Sequence, residues 1–195
     1  MELTIQQLTP DREDDYLQFF TEDAFADNPE WEGCYCHFHH FTGTADEWQA
    51  QSASDNRAAV SALIRSGEYH GLLAYDDDRP IGWCKAVLRS DLPDPNRVAP
   101  PVEEPPEQVG MVLCFIVSPD YRRQGVASEL LDAACRSVAD RGASVVEGYP
   151  LKETELGTRQ PQGPLSLYET AGFTLVMEEE DGPRTVMRKP LAEGT

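Results

Sequence analysis

Basic residues are scarce in this sequence. Its 195 residues include 16 Lys and Arg against 35 Asp and Glu, which gives a formal net charge of −19 at pH 7. So acidic a surface repels phosphate backbones and anionic lipids, and we expect neither nucleic acid nor a membrane as a partner. The same charge would attract a cationic small molecule, or it serves solubility or a high-salt cytoplasm.

Long apolar segments are also missing. No stretch approaches the roughly 20 residues that a membrane-spanning helix needs, and no apolar run near the N-terminus predicts a signal peptide. We therefore expect a cytoplasmic location. The chain has five cysteines, an odd number, and two of them, Cys114 and Cys135, fall in predicted core elements. That distribution argues against a disulfide framework.

The stretch that organises the chain, residues 111–141, contains neither a Walker loop nor a GxGxxG motif. It begins with the apolar run Met111–Val117, which predicts a strand buried on both faces. A turn leads from Ser118 to Gly125, and apolar residues then recur at three- and four-residue spacing until Gly142. This spacing predicts an amphipathic helix that ends at Gly142.

A buried strand, a glycine turn and a helix start together favour phosphate binding. The first N–H groups of a helix have no internal partner, and the helix dipole is positive there. Gly125 allows close approach of the backbone, and Val126 and Ala127 add N–H groups without bulk. Arg122 and Arg123 add positive charge in an acidic chain. The sequence therefore predicts a diphosphate site at this turn.

The rest of the chain predicts alternating strands and helices. Prolines are dense between residues 89 and 108, which we interpret as a surface excursion between two strands. Capping and turn signals set the other bounds. The predicted elements are a strand at 2–8, helices from Thr9 to about Phe25 and from Thr44 to about Arg65, strands at 69–75, 80–88 and 143–149, a short helix at 165–171, and a hairpin of 173–179 with 184–189.

Two motifs give the chain a family resemblance. Arg122-x-x-Gly125-x-Ala127, between an apolar strand and an amphipathic helix, resembles the acetyl-CoA signature of the GCN5-related N-acetyltransferases (GNAT superfamily). About forty residues later, residues 168–173 read Tyr-x-x-x-Gly-Phe, which resembles a second segment of that superfamily. The resemblance is clear over roughly residues 70 to 190 and holds only in outline before them.

The resemblance implies an α/β (α+β) fold for a single domain of residues 1–195. Its mixed, mostly antiparallel sheet would be flanked by helices, with strands four and five splayed apart. Residues 109–190 would bind acetyl-CoA, and residues 1–68 would form the acceptor side. In the family, the pantetheine arm pairs with strand four inside the gap. Carried onto this chain, the cofactor-binding residues are Phe115, Ile116 and Val117 for the arm and Arg122, Arg123, Gln124, Gly125, Val126, Ala127 and Ser128 for the diphosphate.

The resemblance also implies an activity. The chain would be an acetyl-CoA-dependent N-acetyltransferase that acetylates a primary amine of a small molecule or peptide, by direct attack in a ternary complex. Acetyl-CoA would be the cosubstrate, and no metal is expected. Dimerisation is common in such folds, which leaves a homodimer as one option. The alternative from another class is a CoA-binding sensor or interaction module without turnover.

Tyr168 is the predicted catalytic acid, because a phenol stays protonated at neutral pH and can donate to a departing thiolate. The oxyanion donor would be a backbone N–H near Phe115 or Ile116. Glu147, on strand five, is the predicted general base, since burial could raise the pKa of its carboxyl group. Alternatives for the base are three acidic residues before strand four and three histidines: Glu103, Glu104, Glu107, His37, His39 and His40.

Residues 27–43 form a loop rich in aromatic residues, and we expect Trp31, Tyr35 and Phe38 to line the acceptor pocket. The same loop holds Cys34-x-Cys36-His37-x-His39-His40, which raises the alternative of a zinc centre. The spacing argues against zinc, because structural zinc sites usually have two to four residues between paired cysteines and a second ligand pair further off. Further along, Lys152 and Arg159 could contact the adenosine phosphate of CoA or balance acidic neighbours.

Overall fold

A seven-stranded sheet forms the centre of the protein in the computed structural model, which describes residues 2–152, 161–180 and 182–191. The strands are β1 (Leu3–Gln7), β2 (Leu72–Asp76), β3 (Arg79–Leu88), β4 (Val109–Val117), β5 (Val145–Gly148), β6 (Thr174–Glu178) and β7 (Thr185–Pro190). The helices are α1 (Glu13–Glu22), α2 (Ala45–Gln49), α3 (Ala53–Ser66), α4 (Val126–Asp140) and α5 (Leu165–Thr170).

The strands lie in the order β1-β2-β3-β4-β5-β7-β6. All neighbouring pairs are antiparallel except β4 and β5, which are parallel. The predicted mixed, mostly antiparallel sheet with flanking helices is therefore confirmed. No helix within the described ranges is both long enough and apolar enough to span a membrane.

Helices cover both faces of the sheet. The apolar stripe of α4, including Leu130, Ala134 and Val138, packs on one face together with Val112 and Val146. The opposite face is covered by α1 and α3, whose buried side chains belong to one apolar cluster with Trp83. A third apolar cluster on the sheet includes Leu92 and Ala99 of the proline-rich segment between residues 89 and 108. The amphipathic pattern read from the sequence thus matches the faces that the helices bury.

The pairing of β4 with β5 is short. Only Val109–Val112 pairs with Val145–Gly148, after which β5 ends while β4 continues to Val117. On its other side, β4 stays paired with β3 as far as Val117 opposite Gly82. The second half of β4 therefore has one edge that β5 does not pair.

Two predicted helices have different bounds. The predicted helix from Thr44 to Arg65 is two helices, because Ser52 starts α3 with a capping box of its own to Asp55. Thr44 forms the capping box that the sequence predicts, with Glu47. The first helix begins with a 3-10 turn at Pro10–Arg12 and ends at Glu22 instead of near Phe25.

The proline-rich segment is more buried than the predicted surface excursion. Arg89 is 3% exposed, and its Nη2 donates to the backbone oxygens of Ala99 and Pro100 and to Asn96 Oδ1. Leu92 and Ala99 are buried in the third cluster. The guanidinium thus donates to carbonyl groups in a segment whose prolines have no N–H group to offer them.

Candidate functional site

The turn before α4 has the geometry expected of a diphosphate site. Gly125 precedes the helix with φ +90°, and a Cβ there would meet no heavy atom within 4 Å. Arg123 also has a positive φ, +58°. The next N–H groups, of Val126, Ala127 and Ser128, belong to the first turn of a 15-residue helix and have no internal acceptor. An anion would fit this open, positively polarised helix start.

The two arginines of this turn have different surroundings. Arg122 donates to Asp27 through Nη1 and Nη2, at 2.6 and 2.9 Å, and to the Val117 carbonyl through Nε. Arg123 is exposed and forms no ion pair with a described residue. Gln124 donates to the Asp120 carbonyl. Of the two charges predicted to hold a diphosphate, only that of Arg123 remains free.

Two hydrogen-bond donors meet where β4 and β5 separate. The N–H of Phe115 donates to the carbonyl of Pro161, and the hydroxyl of Tyr168 donates to the carbonyl of Gln162 at 2.8 Å. The two acceptors are consecutive residues, so the two donors converge on one place. Ile116 and Val117 continue the same strand edge.

Tyr168 is buried in this gap. It is fully buried, and its ring packs against Phe115 and Phe173 at centroid distances of 6.3 and 5.2 Å. A Cβ on Gly148 would lie 2.0 Å from the Tyr168 ring, so the glycine of β5 makes room for the phenol. Burial raises the pKa of Tyr168 well above its ordinary value, and the hydroxyl stays protonated.

Glu147 does not have the surroundings of a general base. Its Oε1 accepts from Arg188 Nε at 2.7 Å, its Oε2 accepts from the Tyr149 hydroxyl at 2.6 Å, and Arg89 Nη1 lies 3.7 Å away. The side chain is buried, and both oxygens are engaged. Glu104 forms two hydrogen bonds with the same Arg188. Both carboxylates therefore belong to one ion-pair network, in which Glu147 is buried and Glu104 is half-buried.

A cavity of about 890 Å³ lies on the face of the sheet opposite α4, and we call it the acceptor-side cavity. Cys114 and Ile116 of β4 form its floor, and Pro161 and Gln162 border it at the gap. Two of the three predicted pocket residues, Trp31 and Phe38, line it. Trp48 of α2 also lines it, a residue that the sequence analysis did not single out.

Tyr35, the third predicted pocket residue, does not line the cavity. Its ring stacks on Phe20 in the core at 5.7 Å, and its hydroxyl lies 3.2 Å from Thr21 Oγ1. The Tyr35 carbonyl accepts from the hydroxyls of Tyr16 and Tyr69. A left-handed backbone at residue 35 (φ +48°) turns this side chain inward, which an aromatic-rich sequence does not reveal.

The three histidines of the loop have separate environments. His37 Nδ1 donates to Asn56 Oδ1 at 2.8 Å, and His40 Nε2 lies 2.9 Å from Lys85 Nζ. His39 lines the cavity, and its Nδ1 is buried without a partner. Burial and the neighbouring Lys85 lower the pKa of His39 to about 3 and that of His40 to about 2. Both rings are therefore neutral at physiological pH.

Lys85 is a buried titratable residue that the sequence analysis missed. It lies on β3 at 0% exposure, with Nζ 3.1 Å from the centroid of the Tyr69 ring and no carboxylate within ion-pair distance among the described residues. Burial lowers its pKa well below the ordinary value. The sequence indicates this buried lysine only by its position within the otherwise apolar run Ile81–Leu88.

The cysteines do not assemble a metal centre. Cys36 Sγ donates to Cys114 Sγ at 3.2 Å, which links the aromatic loop to β4. Across residues 2–152, 161–180 and 182–191, no group of three or more His, Cys, Asp or Glu side chains could hold a metal ion. Lys152 pairs with Glu178 at 2.9 Å, and Arg159 lies outside the described residues.

A family model described as "Acetyltransferase (GNAT) family" matches residues 11–149, well over half of the chain. No curated protein matches the chain. Solved structures do match, at identities low enough that the likeness shows the fold alone.

One of these structures is the PaiA N-acetyltransferase from Thermoplasma acidophilum in complex with coenzyme A. It is 17% identical, with a TM-score of 0.56 over 98% of this chain and 100% of that chain. The NatC complex bound to Gag peptide and CoA is 16% identical, with a TM-score of 0.57 over 98% and 100%. YncA from Salmonella typhimurium, with its cofactor acetyl-CoA, is 14% identical, with a TM-score of 0.53 over 100% and 96%.

Proposed function

Since the chain belongs to the acetyltransferase (GNAT) family, we propose that it transfers the acetyl group of acetyl-CoA to a primary amine of a small molecule or a peptide. The amine attacks directly while both substrates are bound. Residues 109–190 bind acetyl-CoA, and residues 1–68 form most of the acceptor side. Family membership supports acyl transfer. Nitrogen as the acceptor atom and the direct attack are our proposal.

One observation carries the proposal: the convergence of the Phe115 N–H and the Tyr168 hydroxyl at the unpaired edge of β4. Both donors reach carbonyl oxygens of adjacent residues, Pro161 and Gln162. A bound thioester also presents two such atoms close together, because its oxygen and its sulfur are attached to the same carbonyl carbon. Once the thioester displaces these two carbonyls, the N–H would stabilise the oxyanion, and the phenol would protonate the departing thiolate.

The cofactor fits the remaining geometry. The edge of Phe115, Ile116 and Val117 that β5 leaves open can pair with the pantetheine amides. The free N–H groups from Val126 to Ser128 and the charge of Arg123 can hold the diphosphate, while Gly125 leaves the approach open. In our proposal Arg122 does not hold the diphosphate, because its guanidinium is paired with Asp27.

Tyr168→Phe tests the chemistry. The substitution removes only the hydroxyl from a buried ring, so we expect folding and acetyl-CoA binding to persist while the maximal rate of thiol release falls about 10²- to 10⁴-fold, the usual contribution of a general acid. Thiol release over a panel of primary amines measures the rate, and calorimetry measures binding. Phe173→Leu, which changes a neighbouring ring without a hydroxyl, is the control. A Tyr168→Phe protein with unchanged turnover would remove Tyr168 from the mechanism.

A CoA-binding module without turnover remains the second candidate. The observation that favours it is that the protein's own Pro161 and Gln162 carbonyls satisfy both donors in the gap. Such a module would bind acetyl-CoA and release no thiol with any amine, whether wild type or Tyr168→Phe. Amine-dependent release by the wild-type protein excludes it.

A further inference from the structure

The wall of the acceptor-side cavity is mainly aromatic and aliphatic. Trp31, Phe38 and Trp48 line its outer side, and Leu113 and Ile116 of β4 line its floor. The volume of about 890 Å³ falls in the range of sites for small molecules, about 300–1,000 Å³. A ligand here gains most of its affinity from apolar contact.

Several polar groups in this wall already bond to the protein. Their partners are backbone carbonyls or side chains of the surrounding loops. The bonded groups are Asn56 (to His37 and the Gly33 carbonyl), Asn96 (to Arg89), Arg97 (to the Phe41 carbonyl) and Thr185 (to the Pro150 carbonyl).

Among the buried polar atoms of this wall, two in the described part of the chain lack a partner. His39 Nδ1 and Gln162 Oε1 are buried without a hydrogen-bond partner. Neither ring nitrogen of His39 bonds to another residue in the described part of the chain. A neutral imidazole that lacks partners can accept a hydrogen bond from an amine N–H.

Charged side chains stand only at the rim or are engaged. Glu32, Glu179 and Arg184 are exposed, and Arg97 also packs its guanidinium over Phe38. Within the described ranges, no cation of the wall is fully buried, and the half-buried Arg97 is bonded to the Phe41 carbonyl.

We propose that the acceptor is a bulky apolar primary amine without a carboxylate, bound with its body against the aromatic wall and its amino group at His39. This inference rests on the proposed function and narrows the acceptor class within it. The net charge of −19 works in the same direction, because it attracts an ammonium cation and exerts no net attraction on a zwitterionic amino acid.

The experiment compares pairs of amines that share an aromatic side chain and differ in the presence of a carboxylate. With acetyl-CoA saturating, we expect 2-phenylethylamine and tryptamine to be acetylated with kcat/KM about tenfold or more above phenylalanine and tryptophan. Putrescine and an alanyl tripeptide should also be poorer substrates. Preference for any of these polar acceptors would overturn the inference.

Binding of the product provides a readout that does not need turnover. N-acetyl-2-phenylethylamine should change the fluorescence of Trp31 and Trp48, whereas N-acetylphenylalanine should not at the same concentration. Phe38→Ala should weaken product binding about three- to tenfold. Phe41→Ala is the matched control, because Phe41 is in the same loop but does not line the cavity. Equal effects of the two substitutions would contradict the cavity as the binding site.

His39→Phe and His39→Asn separate recognition from packing. Loss of kcat/KM in the phenylalanine variant, with partial recovery in the asparagine variant, supports a hydrogen bond to the amine. Retention of activity in both variants would remove His39 from the site. Product binding without turnover of any amine would support the acceptor class and overturn the acetyl transfer proposed above.

Discussion

At the scale of single residues, burial determines what each titratable group can do. Tyr168 and Glu147 are both buried in neighbouring elements, yet the phenol meets only a carbonyl whereas the carboxylate meets two arginines and a phenol. The first arrangement preserves a proton that can be donated. The second uses both carboxylate oxygens for structure.

Lys85 gives a prediction at this scale. Its folded pKa lies below its unfolded value, so the unfolded chain binds more protons between those two pKa values, and stability rises with pH across that window. At pH 7 the wild-type protein carries this penalty. Lys85→Met should therefore stabilise the fold by about 1–2 kcal/mol at pH 7, after allowing for the lost contact with His40, and by less as pH approaches 10.5.

Urea unfolding at pH 7 and at pH 9.5 measures this difference. Lys152→Met, which removes a partly exposed lysine paired with Glu178, is the control and should change stability little at either pH. Lower stability of Lys85→Met at both values would mean that the amine contributes a favourable interaction in the folded protein.

At the scale of elements, helix α4 packs an apolar face on the sheet and, in our proposal, binds the diphosphate at its N-terminal end. Gly125 and Gly142 flank it, both with left-handed backbone (φ +90° and +103°) and both with open space where a Cβ would lie. They differ only in the end of the helix at which they stand. The N-terminal end carries the free N–H groups, and the C-terminal end carries free carbonyls.

This symmetry gives a matched pair of substitutions. Gly125→Glu and Gly142→Glu should each cost about 1 kcal/mol of stability, because both force a side chain into the left-handed region, and Gly142→Glu should cost slightly more, because a carboxylate is unfavourable at a helix C-terminus. Only Gly125→Glu should weaken acetyl-CoA binding in calorimetry, by tenfold or more (about 1.4 kcal/mol). Similar weakening by both substitutions would mean that the diphosphate does not bind at this turn.

At the scale of the whole molecule, charge is the dominant feature. A net charge of −19 on 195 residues produces self-repulsion in the compact state, which salt screens. The Debye length falls from about 30 Å at 0.01 M to about 8 Å at 0.15 M ionic strength. We expect Tm to rise over this range, by about 2–4 °C for each 1 kcal/mol of repulsion removed.

Thermal scans in sodium chloride and in sodium perchlorate test the charge effect, since both salts screen equally at low concentration. The early rise in Tm should be the same in both. A Tm that does not change below 0.15 M salt would show that acidic side chains are spaced widely enough to avoid repulsion.

The sequence by itself determined the order of the elements, the glycine turn before α4 and the family motifs. These features depend on local patterns, such as apolar spacing, capping boxes and glycine positions, which neighbouring residues set. The same locality explains the errors at helix ends. A capping box at Ser52 lies within a stretch whose apolar spacing also allows a single helix.

Only the tertiary structure decided the partners of the polar side chains. Arg122 meets Asp27, 95 residues away, Glu147 meets Arg188, 41 residues away, and Lys85 meets His40, 45 residues away. The fold also turned Tyr35 into the core and left His39 in the cavity wall. Hydrogen bonds act over about 3 Å, so a group's chemistry depends on neighbours that the chain brings together only when it folds.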